Sequence, residues 1–155
     1  MKHKTLFMET TKIPTGQTVA EIQSILGECG VSAVMTEYDQ GEIKAVCFQI
    51  IFLDKNIPFR LPCRWEAIFD IFYRRKKNGT HDEEILESMR NQAKRVAWRQ
   101  ILRWIEAQLA LVDTNMVKIQ EVFLPYIQMN LKGDTLYQHL EDKGFKALEF
   151  KEPKP

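Results

Sequence analysis

The 155 residues carry a formal net charge of +1, are 45% hydrophobic and 28% charged, and include three cysteines. That is one domain's worth of chain with enough apolar mass for a core, and its near-neutral balance gives no global sign of a nucleic-acid partner. No run approaches the ~18 consecutive apolar residues of a membrane span, and Cys29, Cys47 and Cys63 lack the number and spacing of a disulfide scaffold or zinc site, so a reducing, cytoplasmic setting without membrane, metal or cofactor is expected.

Residues 1–9 read as a flexible start, 10–150 as a single domain and 151–155 as a polar tail. Pro14 keeps Ile13 out of helix. Thr18 reads as an N-cap with Glu21 completing a capping box, and Val19, Ile22, Ile25 and Leu26 share one helical face before Gly27 and Gly30. Val31–Tyr38 is a β signal, Asp39-Gln40-Gly41-Glu42 a turn, and Ile43–Leu53 the strongest strand, apolar enough for a central place. Ile57–Pro62 follows as a third strand, confined to an edge because Pro58 and Pro62 each remove a ladder donor.

The remainder reads as helical. Trp65, Ile68, Phe69 and Phe72 mark a helix ending in Arg74-Arg75-Lys76-Lys77-Asn78-Gly79. Thr80 or His81 is placed to cap a second helix that starts on acids and runs to about Val112, some 46 Å at 1.5 Å per residue. Met116–Met129 is expected to continue as helix despite Pro125, and Gly133-Asp134-Thr135 to open a last helix closed by Gly144. The predicted fold is α+β: a three-stranded antiparallel meander after an N-terminal helix, packed by a long helix and further C-terminal helices. A helix longer than so small a sheet can cover points to a homo-oligomer.

Catalytic signatures are missing. His3, His81 and His139 stand far apart, the glycines fit no phosphate loop, and no nucleophile elbow is present. Asp82, Glu83, Glu84 and Glu87 complement a helix dipole better than they form a cation site.

The charge is unevenly spread. Residues 60–103 hold eleven Lys/Arg against six Asp/Glu, net +5, leaving −4 elsewhere. Arg95, Arg99 and Arg103 fall at i, i+4 and i+8, one stripe about 12 Å long with Trp98 beside it. Arg74, Arg75, Lys76 and Lys77 lie at the preceding helix end, and Arg60 and Arg64 flank the edge strand. Such cations bind phosphates, and an exposed tryptophan stacks a base in a single strand. The helix–strand–strand–strand–helix order is also that of double-stranded-RNA-binding domains, although their lysine cluster opens the second helix whereas here Arg74–Lys77 closes it.

Ile57-Pro58-Phe59-Arg60-Leu61-Pro62, Arg95-Val96-Ala97-Trp98-Arg99, Glu106–Val112 and Glu121-Val122-Phe123-Leu124-Pro125-Tyr126-Ile127 resemble a widespread family of small phage and prophage proteins. The similarity spans roughly residues 10–140. That family has no assigned activity, so the resemblance implies a viral or mobile-element setting in a bacterial host and nothing catalytic. Two functions are therefore expected. The first is a non-catalytic accessory protein binding nucleic acid, above all single-stranded DNA, through the ten residues Arg60, Arg64, Arg74, Arg75, Lys76, Lys77, Arg95, Trp98, Arg99 and Arg103. The second is an inhibitor that binds a host defence protein or its nucleotide signal.

Overall fold

The computed structural model describes residues 4–76, 79–149 and 153–154, so His3, Lys77 and most of the expected polar tail lie outside the described residues. Helix α1 (Thr15–Glu28) leads into the meander of β1 (Ala33–Asp39), β2 (Glu42–Phe52) and β3 (Lys55–Pro62), with β2 central. Then follow α2 (Glu66–Arg75), α3 (Glu83–Asp113), the single turn α4 (Ile119–Val122) and α5 (Leu136–Asp142). This is the predicted α+β order.

Local chemistry explains most boundaries. The β1–β2 turn has Gln40 and Gly41 at φ +49° and +80°, as a two-residue hairpin requires. The β2–β3 turn reaches the same region at Leu53 and Asp54 without a glycine. Thr135 caps α5, its hydroxyl accepting from Gln138 N while Gln138 Oε1 accepts from Thr135 N.

Other boundaries differ from expectation. Helix α1 starts three residues before Thr18, which is not its cap: the buried Thr18 hydroxyl turns back to the Pro14 carbonyl at 3.5 Å. The cap of α3 is Asp82, whose Oδ1 accepts from Glu84 and Ile85, rather than Thr80 or His81. Residues 116–129 hold only α4 and a 3-10 turn, Leu124–Tyr126. Pro125 sits in that turn, and the chain then becomes extended.

The extended piece is an arm no local signal announced. Ile127 bridges Phe59 antiparallel on the free edge of β3, and Gln128 N donates to the Pro58 carbonyl at 2.8 Å. The arm then doubles back, Gln128 facing Thr135 and Met129 N donating to Asp134 O at 2.7 Å. Asn130 Oδ1 accepts from Lys132 N and Asp134 N, the job of a turn asparagine. Gly133, at φ +90°, lies so close to Arg60 that a Cβ would stand 3.0 Å from its Cδ and Nε.

One face of the sheet carries the core. Val34, Phe48 and Phe59 stand in one cross-strand row, and Thr36, Val46 and Leu61 in the next. Phe48 stacks on Phe59 at 5.0 Å, and Phe123 meets both edge-on. Helices α1 and α3 share this core with the sheet, and α2 packs against α3. Four consecutive residues, Val96 to Arg99, are buried, more than a full turn, so α3 is surrounded at mid-length. α1 and α2 pack against this middle portion, whereas residues 83–92 have no buried side chain. Residues 4–9, expected to be ragged, are held on the helices: Leu6 packs on the core, Gln92 donates to Glu9 O, and Gln100 donates to Phe7 O.

Candidate nucleic-acid interface

The cations of residues 60–103 do not meet on a common wall. Arg60 lies on the outer face of the sheet in one row with Met35 and Cys47, and reaches diagonally to Glu37. Its Nε and Nη2 donate to the two Glu37 oxygens, each at 2.9 Å, a two-armed pair. Arg75 pairs with Glu9 and donates to the Lys4 carbonyl, and Arg103 pairs with Glu106 at 2.7 Å. Arg95 donates through Nε and Nη2 to Gln92 Oε1. Two further bases of the segment are also paired, Lys94 with Glu42 and Arg90 with Glu83 and Glu87.

Two predicted residues are core. Trp98 is 1% exposed and cannot stack a base. Arg99, 3% exposed, faces α1, where its Nη1 meets Glu21 at 3.1 and 3.2 Å and Thr18 Oγ1 at 3.4 Å, while its Nε has no partner. The Arg95–Arg99–Arg103 stripe therefore does not line an outer surface. A helix enclosed on several sides must turn one of its polar residues inward, and an acid on α1 receives it.

Arg64, Arg74, Lys76 and Arg95 have no carboxylate partner among the described residues; Arg95 is held by Gln92, while the other three flank α2 at its two ends. Arg64 and Arg74 are exposed, and Arg74 Nε donates only to the Asp70 carbonyl.

Arg64 also opens onto a groove of about 780 Å³ between the end of β3, the start of α2, the middle of α3 and the arm. Trp104, Tyr126 and Tyr137 line it with Ile68 and Ile101, and Trp104 and Tyr126 stand 5.5 Å apart at 60°. Among the described residues no carboxylate lines it. A second depression, near the N-terminal segment, is lined by Glu9 and Glu84, the wrong sign for phosphate. Nothing in the spacing of residues 64, 104, 126 and 137 announces the groove, since four separate elements supply them. The only available hint was the Asn130–Gly133 turn pattern, which marks the arm.

No family model, no curated protein and no solved structure matches the chain.

Burial pushes the Cys63 thiol up to about 12, and burial together with Glu37 raises that of Cys47. Among the described residues no group of three His, Cys, Asp or Glu side chains is placed to hold a metal ion, and no helix is long and apolar enough to cross a membrane.

The Glu37–Arg60 pair has a pH signature. The hydrogen bonds from Arg60 hold the Glu37 carboxyl below its usual range. The folded protein thus takes up this proton less readily than the unfolded chain. The pair stabilises above the ordinary carboxylate pKa of about 4.3, and this is lost as pH falls through the lower folded value. Urea unfolding of the wild type and Glu37→Gln should differ at about pH 7 and converge towards about pH 2. A gap that stays constant with pH would rule out the ionic pairing.

Proposed function

We propose that the protein is a non-catalytic phage or mobile-element protein that binds single-stranded DNA along α2. The observation that carries this reading is the placement of the unpaired cations. Arg64, Arg74 and Lys76 border one helix, and Arg64 adjoins an aromatic groove free of acids. Resemblance to small phage proteins supports the setting.

Having three such cations along α2 rather than nine changes the expected salt dependence. Three phosphate contacts on a single strand give a log–log slope of about −2, so raising salt from about 50 to about 200 mM weakens binding roughly 20-fold. Nine contacts would weaken it roughly 6,000-fold. Fluorescence anisotropy with a labelled oligonucleotide reads both the affinity and the slope. Replacing Arg74 by alanine should flatten the slope by about one contact. Absence of binding at the lower salt concentration would refute the reading.

A protein partner is the second reading, favoured by the arm's tip, where Leu131 is fully exposed and Met129 nearly half exposed. A host protein recovered from a bacterial lysate after nuclease treatment, and lost with Leu131→Asp, would support it.

A further inference from the structure

We propose that the groove between α2, α3 and the arm binds one unstacked nucleobase, with the phosphate of the same nucleotide on Arg64. This rests on the single-strand reading and names the part of the ligand that gives it more than charge.

The groove has the size of a small-molecule site, about 780 Å³ against the 300–1,000 Å³ usual for such pockets. Its walls are aromatic and aliphatic, which suits a flat, weakly polar ring system and gives inorganic phosphate little to hold. Among the described residues, its one charged lining residue is Arg64, a guanidinium with no carboxylate partner and no acid lining the groove beside it. A ligand that fills the site needs both a planar ring and an anionic group a few ångströms from it. A nucleotide has that pairing.

The polar atoms fit a base edge. Gln100, a lining residue, donates through Nε2 to the Phe7 carbonyl at 2.7 Å, and its Oε1 has no protein donor among the described residues. The Tyr126 hydroxyl and the Trp104 indole N–H have no protein partner among the described residues, and the Tyr137 hydroxyl reaches only Glu141 Oε1 at 3.4 Å. These donors and acceptors are of the kind that satisfy the rim of a heterocycle. Tyr137 is 43% exposed at the mouth, against Phe145 at 5.9 Å, so it can cover an incoming ring without rebuilding the core.

The test uses the full chain and four probes: adenosine 5′-monophosphate, adenosine, inorganic phosphate and a labelled thymidine oligonucleotide. Titration calorimetry and tryptophan fluorescence follow the first three, and anisotropy follows the strand. The nucleotide should bind more tightly than either fragment. Arg64→Ala should weaken it about tenfold and leave adenosine unchanged, whereas Tyr137→Ala should weaken both. Both residues are exposed enough for the variants to fold, which circular dichroism verifies. Equal affinity for nucleotide and inorganic phosphate, or no effect of either variant, would overturn the groove assignment. If the oligonucleotide binds and both variants leave its affinity intact, the groove assignment fails while the single-strand reading stands. If the nucleotide binds as expected and the strand binds no more tightly, the groove assignment stands and the single-strand reading fails.

Discussion

Replacing Trp98 by alanine lowers the unfolding free energy by about 3–5 kcal/mol, the largest effect expected of a single side chain in this protein. Trp98 is the largest of the fully buried side chains, set between buried neighbours Ala97 and Arg99 at the level where α1 and α2 both pack on α3. Truncation removes an indole from a site that cannot collapse, because the surrounding elements are fixed by their own contacts. Urea denaturation should show a lower midpoint at an unchanged slope, with Trp98→Phe giving a smaller loss. A cost below about 1 kcal/mol would mean that the indole is not a core element. Loss of nucleic-acid binding in the alanine variant would report partial unfolding, not loss of a stacking platform.

The second large effect lies at the contact of α1 with α3 and runs against intuition. Glu21→Ala should destabilise by about 2–3 kcal/mol, at or below the low end for a broken buried ion pair. Arg99→Met should cost less than about 1 kcal/mol or nothing. The asymmetry comes from burial. Arg99 is almost wholly enclosed, its Nε already lacks a partner, and both acceptors of its Nη1 lie on α1. Removing Glu21 leaves an enclosed cation with only Thr18. Removing the cation leaves Glu21, whose side chain is 39% exposed, free to take water. Calorimetric or urea unfolding of the two single variants and the double variant gives the coupling. If Arg99→Met proves the costlier change, the guanidinium is a net stabiliser and this account of the contact is wrong.

Much of the fold was legible because it is local. The apolar face of Val19, Ile22 and Leu26, the Gln40-Gly41 turn and the Thr135 cap each depend on residues within one turn or one hairpin. The central place of β2 followed from its apolar run, and the edge place of β3 from its prolines. Where local signals competed, the reading failed. Thr18-x-x-Glu21 satisfies a capping-box pattern, yet its two side chains serve Arg99, 81 and 78 residues away. Met116–Met129 has helical composition, yet the edge of β3 offered its backbone a bridge partner, and Pro125 favoured leaving the helix.

The sequence alone determined the α+β order of elements, where the strands lie, and that the middle of the chain is rich in arginine. The tertiary structure decided which of those arginines face solvent and which face an acid. Helical and strand periodicity arises from interactions a few residues apart, whereas the acids paired with Arg75, Lys94 and Arg99 lie 66, 52 and 78 residues away. A stripe of cations drawn on a helical wheel holds no information on what will pack against it. Burial of Trp98 and assembly of the groove from β3, α2, α3 and the arm were settled in the same way, by which surfaces exclude water together.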